Sequence, residues 1–149
     1  MKILITGSRT WTDPRPVETV IKECKQEASL QEQTLTVIHG NAPRGADKIV
    51  EEIARKHKVL TIPMNANWTR YGRRAGFVRN QQMINEHPDI NKVYAYKEGT
   101  KSAGTEDMII RAQRCNIPIE VLQRINYAIN TRDSEQVRKG GGREQKPLA

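Results

Sequence analysis

Residues 2–9 read KILITGSR, an apolar run that leads directly into a Gly-Ser-Arg turn. The run has the composition of a buried strand, and glycine allows the chain to turn tightly behind it. Residues 13–16 (DPRP) follow, and proline in the first turn is typical of a helix start. A strand, a glycine turn and a helix in this order present a helix N-terminus to a phosphate. The stretch therefore predicts the opening β-α unit of an α/β fold.

The same alternation of apolar runs and polar helices continues along the chain. Strands are predicted at residues 35–38, 59–62, 92–96 and 117–122, and helices at residues 13–28, 46–57, 75–85 and 105–115. Short strands that alternate with helices form parallel sheets with right-handed crossovers. We therefore predict a Rossmann-like α/β fold, with a parallel sheet of about five strands and helices on both faces. In such sheets ligands bind at the carboxyl ends of the strands.

The length of the chain limits the number of domains. With 149 residues it can form one core and falls short of two. The apolar periodicity ends after Leu122, and the last residues are rich in glycine and basic residues. We predict one ligand-binding domain over residues 1–129 and a flexible basic tail over residues 130–149.

Composition restricts the compartment and the chemistry. No stretch approaches the roughly 20 apolar residues of a membrane span, and the chain begins with a strand instead of a signal peptide. We therefore expect a cytoplasmic protein without a membrane partner. Cys24 and Cys115 are the only cysteines, and they lack the spacing of a disulfide framework or a zinc site. We expect them to be core thiols, and we expect no metal and no cofactor.

The formal net charge of +8 favours anionic partners, nucleic acid among them. The segment from Arg70 to Arg79 holds four arginines and no acid, and Trp68, Tyr71 and Asn80 lie beside them in the sequence. Guanidinium groups bind phosphates with two hydrogen bonds and aromatic rings stack on bases. We therefore expect this segment to hold an anionic, flat ligand, and nucleic acid is the less favoured partner.

The turn after the first strand supplies the first candidate ligands. Gly7, Ser8 and Arg9 can offer backbone amides, a hydroxyl and a guanidinium to a phosphate, although a tight turn by itself needs only the glycine. Trp11 can stack on a base or cap the core, and packing is the commoner role of a lone tryptophan.

A second polar loop, bracketed by two glycines, follows the second strand. Asp47 falls in the first turn of the next helix, where it can cap the helix or accept hydrogen bonds from ribose hydroxyls. His39 can act as an acid or base, or it can hold neighbouring loops. The remaining candidates in this loop are Gly40, Asn41, Arg44 and Gly45.

The arginine-rich segment continues into a helix that carries further candidates, Arg74, Arg79 and Asn80. Charged residues on a helix usually face water. Gly76, however, costs this helix about 1 kcal/mol relative to alanine. Its presence indicates the close approach of a ligand or of another backbone.

The last candidates open the helix that follows the fourth strand. Gly104 and Thr105 begin this helix, and Thr105 is either its N-cap or a phosphate ligand. Glu106 and Asp107 come next, and their charges would repel a phosphate unless they face a sugar. With Trp68, the chain offers sixteen predicted ligand-binding positions at the strand ends.

Four motifs, taken together and in order, resemble the SLOG superfamily. They are ITGSRxWxD at residues 5–13, HGxAxRGAD at 39–47, NWxxYGRxAGxxRNxxM at 67–83 and GTxDM at 104–108. The resemblance extends over residues 1 to about 115 and points to a small bacterial and phage branch. Relatives include the LONELY GUY phosphoribohydrolases, the DNA-processing protein DprA and sensor domains that bind NAD-derived signals.

The resemblance implies a Rossmann-like fold, a homo-oligomer and a nucleotide-derived ligand at the strand ends. Arg79 matches the arginine of the hydrolases' active site. Met108, however, stands where the hydrolases have their catalytic glutamate, and Asp107 or Glu106 can substitute only if the helix register shifts. We therefore assign no catalytic residue and keep Arg79, Asp107 and Glu106 as candidates.

Three functions are consistent with these residues. We expect a binding protein that senses or sequesters a nucleotide-derived small molecule. The most specific form of this expectation is a sponge that sequesters an ADP-ribose-type cyclic signal of antiphage defence. For a binding protein, Met108→Glu should uncover weak phosphoribohydrolase activity if Arg79 is correctly placed. The alternative is a nucleoside-monophosphate phosphoribohydrolase or a related N-glycosidase. The third is single-stranded nucleic-acid binding.

Overall fold

A computed structural model describes residues 1–124 and the backbone of residues 136–138. Its strands are β1 (Lys2–Gly7), β2 (Thr36–His39), β3 (Leu60–Pro63), β4 (Lys92–Glu98), β5 (Ile119–Arg124) and β6 (Gln136–Arg138). Its helices are α1 (Arg15–Leu30), α2 (Ala46–Lys56), α3 (Trp68–Tyr71), α4 (Ala75–Glu86) and α5 (Ala103–Arg114), with a 3-10 turn at Gly72–Arg74. In the part of the chain that the structure describes, no helix combines the length and the apolarity needed to cross a bilayer.

The strands form one sheet in the order β3-β2-β1-β4-β5-β6. The first five are parallel, and β6 pairs antiparallel with β5. This arrangement confirms the predicted Rossmann-like α/β fold. The chain order reverses at β1, which pairs with both β2 and β4, and a reversal of this kind leaves a crevice at the carboxyl ends of the strands.

Helices cover both faces of the sheet because successive residues of a strand point to opposite sides. Ile3 and Ile5 of β1 pack into one apolar cluster with residues of α1 and α2. Leu4 packs into a second cluster with residues of α4 and α5. Burial of these apolar side chains is the main stabilising contribution to such a domain, and it fixes the ends of β1, β2 and β4 next to one another.

Most predicted boundaries hold to within two residues, and the exceptions have local causes. The segment between β3 and α4, predicted to be a loop, contains α3. This helix is four residues long, has no buried residue and therefore shows no apolar periodicity. Its N-cap Asn67 accepts a hydrogen bond from the backbone N–H of Arg70.

The predicted core thiols differ in their burial. Cys24 of α1 is buried, as predicted. The prediction for Cys115 is wrong, because this residue caps the carboxyl end of α5 and is exposed.

The predicted flexible tail, residues 130–149, lies mostly outside the described residues. Its described part is the backbone of β6, which pairs with residues Leu122 to Arg124 of β5. The flexibility of the remainder stays a prediction.

Candidate functional site

A cavity of about 370 Å³ opens where the ends of β1, β2 and β4 meet. The turn after β1, Gly40 after β2, the first residues of α5 and one side of α4 line it. Its volume lies in the range of small-molecule sites, about 300–1,000 Å³. The cavity therefore occupies the place at which ligands bind in sheets of this type.

Ten of the sixteen predicted ligand-binding residues line this cavity. They are Gly7, Ser8, Arg9, Gly40, Asp47, Trp68, Arg79, Asn80, Gly104 and Thr105. Further lining residues that were not predicted include Arg73, Phe77, Lys101, Ser102 and Ala103. Three of these directly precede the predicted Gly104-Thr105 helix start, and that position was the signal that could have found them.

Six of the predicted residues lie off the cavity: Trp11, His39, Asn41, Arg44, Gly45 and Arg74. Arg44 and Arg74 are exposed on the surface. The side chain of Asn41 donates a hydrogen bond to Asn65 Oδ1. The other three have structural roles, described next.

Trp11 packs in the core beside the site. Its side chain is only 2% exposed, and its ring contacts the ring of Tyr96 edge-on with 5.4 Å between the centroids. The indole N–H donates to the carbonyl of Asp13 at 2.7 Å. These contacts correspond to the packing alternative that the sequence left open.

His39 holds the loop after β2 from beneath. Its Nδ1 accepts a hydrogen bond from the backbone N–H of Asn41 at 3.0 Å, so Nε2 carries the proton and donates to Glu51 Oε1 at 2.7 Å. This hydrogen bond is the main cause that lowers the pKa of Glu51. A fully buried imidazole with both nitrogens engaged positions the Gly40 loop and has no free nitrogen for a ligand.

Gly45 allows α2 to begin directly against the turn after β1. It has φ +79°, and a β-carbon there would lie 2.5 Å from the carbonyl carbon of Arg9 and the carbonyl oxygen of Ser8. The next backbone N–H, that of Ala46, donates to the Ser8 carbonyl. Gly45 thus positions Ser8 and Arg9 without lining the cavity.

Arg79 reaches across the floor of the cavity from α4 to the ends of β2 and β3. Its Nη1 donates to the carbonyl oxygens of Gly40 at 2.6 Å and of Met64 at 3.3 Å. Its Nε donates to Asn80 Oδ1 at 3.2 Å. Burial lowers the pKa of Arg79, but an arginine remains protonated at neutral pH. These bonds use Nε and Nη1, and Nη2 faces Gly76, which also lines the cavity.

Asp47 is the only carboxylate among residues 1–124 that lines the cavity. Its Oδ2 accepts the backbone N–H of Ala42 at 3.1 Å. Burial raises the pKa of Asp47, and the hydrogen bond from Ala42 opposes this shift. Because a buried carboxylate is stabilised by any donor it meets, Asp47 is suited to accept hydrogen bonds from sugar hydroxyls.

A chain of hydroxyls connects the turn after β1 to the first turn of α5. Ser8 Oγ donates to Ser102 Oγ at 2.8 Å, and Ser102 Oγ donates to Thr105 Oγ1 at 2.9 Å. The backbone N–H of Glu98 donates to Ser8 Oγ, so Ser8 also connects to the end of β4. The hydroxyl of Thr105, a residue only 3% exposed, donates to none of the described residues. The N-terminus of α5 adds backbone N–H groups beside it, and groups of this kind can donate hydrogen bonds to an anion.

The acidic residues of α5 are held away from the cavity. Glu106 pairs with Lys97. Asp107 Oδ2 accepts hydrogen bonds from Arg111 Nε at 2.7 Å and from Asn80 Nδ2 at 3.0 Å. Met108 is fully buried in the apolar cluster beneath α4 and α5. The register shift that would bring Asp107 or Glu106 to the cavity is absent, and of the three catalytic candidates only Arg79 lines it.

Positive charge dominates the cavity wall. Four cationic side chains line it, those of Arg9, Arg73, Arg79 and Lys101, against the single carboxylate of Asp47. Neither Arg9 nor Arg79 forms an ion pair within the part of the chain that the structure describes. The site is therefore built to attract an anionic ligand.

Comparison with known proteins relates the chain to a protein family and to a phage protein. Residues 1–71 match the sequence model of the YspA, cpYpsA-related SLOG family, YAcAr. The Gene 61 protein of Mycobacterium phage D29 is 33% identical over 123 residues, which cover 79% of this chain and 93% of that protein.

Proposed function

Because this chain belongs to the SLOG superfamily, we propose that it binds a nucleotide-derived small molecule in the cavity at the strand ends and holds it unchanged. The observation that carries the proposal is the pairing of two features on one cavity wall. The guanidinium of Arg79 lies at the ends of β2 and β3, and the N-terminus of α5 with the hydroxyl of Thr105 lies at the ends of β1 and β4. Both features attract phosphate.

The remaining groups of the floor suit the sugar of a nucleotide. Asp47 offers a buried carboxylate to hydroxyls beside the arginine. Carboxylates take this role in dinucleotide sites. A cavity of about 370 Å³ has room for a phosphate and a ribose.

Retention of the ligand is favoured over its cleavage. Hydrolysis of an N-glycosidic bond passes through positive charge on the sugar, which a carboxylate must stabilise. Glu106 and Asp107 are engaged by Lys97 and Arg111, and Met108 is buried. Asp47, the carboxylate that does line the cavity, is assigned here to the ribose hydroxyls and does not occupy the position of the hydrolases' catalytic glutamate. These contacts support a protein that senses or sequesters its ligand.

In its most specific form, the proposal is that the ligand is an ADP-ribose-type cyclic signal of antiphage defence. The protein would act as a sponge, which means that it binds the signal and keeps it from its receptor. The similarity to a phage protein supports it, since a phage gains when a host signal is removed.

Arg79→Ala should lower the affinity for ADP-ribose by at least ten-fold. The substitution removes charged hydrogen bonds of about 1.5–3 kcal/mol from the floor of the cavity. Isothermal titration calorimetry of wild type and variant measures the change, and the melting temperature checks that the fold persists.

Arg70→Ala is the matched control for this experiment. It removes the same charge from a residue that lies over the ring of Tyr71 and does not line the cavity. If Arg79→Ala and Arg70→Ala bind ADP-ribose with equal affinity, Arg79 does not contribute to ligand binding.

A further inference from the structure

Two aromatic rings form the outer edge of the cavity. Trp68 begins α3 and Phe77 lies near the start of α4, and both line the cavity although they are 49% and 38% exposed. The polar residues Ser8, Asn80 and Thr105, which line the same cavity, are buried. The cavity therefore runs from a buried polar floor to an exposed aromatic rim.

Trp68 occupies this rim without any anchoring in the core. No residue of α3 is buried. The edge of the indole lies 3.8 Å from the place where a β-carbon on Gly76 would be, so the ring faces the side of α4 that has no side chain at Gly76. An aromatic ring in this position is available to a flat ligand.

The guanidinium of Arg9 lies over the ring of Trp68. It lies 5.4 Å from the centroid of this ring, within the distance of a cation–π contact. Arg9 also lines the cavity, as does Arg79, and the two positive charges repel one another. An anionic group between them would relieve this repulsion. A phosphate that enters the cavity would therefore attract the Arg9 guanidinium away from the ring.

We propose that Trp68 is the stacking surface for the nucleobase of the ligand, and that the base takes the place of the Arg9 guanidinium, which turns to the phosphate. The inference rests on the proposed function and narrows it. The proposed ligand is then a nucleotide that retains its base. A sugar phosphate could bind the polar residues of the floor, but it would make no contact with the aromatic rim. Base-on-ring stacking of this kind does not depend on hydrogen bonds to the base edge.

Fluorescence of the two tryptophans reports on this exchange. Trp11 is buried off the cavity and Trp68 is half-exposed on its rim, so a change in emission on ligand binding comes from Trp68. We expect ADP-ribose and AMP to quench the emission in a saturable manner. Ribose 5-phosphate should bind at least ten-fold more weakly and should not quench the emission, because its phosphate can draw Arg9 from the ring but it has no base to stack there.

Trp68→Ala should lower the affinity for ADP-ribose by about ten-fold to a hundred-fold and leave the affinity for ribose 5-phosphate and the melting temperature unchanged. Tyr71→Ala is the matched control, since it removes another ring of α3 that does not line the cavity. Calorimetry with both ligands measures these affinities.

The outcomes separate this inference from the proposed function. Equal binding of ADP-ribose and ribose 5-phosphate, or an affinity for ADP-ribose that Trp68→Ala leaves intact, overturns the role of Trp68 and preserves the site. If wild-type protein binds none of the three probes, the proposed function fails and the stacking surface fails with it.

Discussion

Met108→Glu should lower the free energy of unfolding by about 4 kcal/mol or more at pH 7, which is enough to leave much of the protein unfolded. Met108 is fully buried and packs in one apolar cluster with Leu4, Ile38 and Val93. A carboxylate at this place would be out of contact with water, and its neighbours are apolar side chains that cannot donate a hydrogen bond. Urea denaturation at pH 7 measures the loss.

The pH dependence of this variant carries a second signature. Burial would raise the pKa of the introduced carboxyl in the folded state, so the folded protein would favour its protonated form. The destabilisation should therefore be small below about pH 4.3, the ordinary pKa of glutamic acid, and grow as the pH rises above it.

Met108→Leu is the control, because it keeps the volume and should cost less than about 1.5 kcal/mol. A stable Met108→Glu protein that cleaves AMP would show that position 108 reaches the cavity. That result would restore the expectation, drawn from the sequence, that a glutamate here uncovers phosphoribohydrolase activity.

Gly45→Ala should cost about 2–6 kcal/mol of stability. The backbone at Gly45, with φ +79° and ψ −149°, lies in a region that is almost restricted to glycine, and a side chain there costs about 1–3 kcal/mol. The added β-carbon would also collide with backbone atoms of Ser8 and Arg9, which cannot rotate away. Forced packing of this kind adds about 1–3 kcal/mol.

Gly72→Ala separates the two contributions. Gly72 has φ +59° and ψ −133°, but a β-carbon there would meet no atom within 4 Å. Gly72→Ala should therefore show the conformational cost alone, and thermal and urea denaturation should rank Gly45→Ala as the more damaging by about 1–3 kcal/mol. Equal losses in the two variants would mean that α2 does not press against the turn after β1.

The fold followed from local features of the sequence. KILIT and the other apolar runs can be satisfied only as buried strands, and their alternation with amphipathic helices leaves few arrangements other than a parallel sheet. The helix α3 escaped prediction because it depends on the Asn67 cap and has no apolar stripe. The antiparallel strand β6 depends on pairing with β5, a contact that no local pattern encodes.

The site followed from the sequence at the strand ends and in or beside the arginine-rich segment, at Trp68, Arg79 and Asn80. Gly7, Gly40 and Gly104 were predicted because topology gathers such turns at one edge of the sheet. The roles of Trp11 and His39 depended on Tyr96 and Glu51, partners that lie elsewhere in the sequence. The homo-oligomer and any nucleic-acid binding stay predictions.

Native mass spectrometry of the protein after several hours with ADP-ribose, cyclic ADP-ribose or AMP tests most directly whether the cavity binds a nucleotide and keeps it intact. We predict one unmodified ligand per chain for at least one ADP-ribose-type compound, released unchanged on denaturation, and no such complex with Arg79→Ala. The proposed function is contradicted if the protein binds none of the three compounds. It is also contradicted if the protein carries a hydrolysed fragment while free base accumulates.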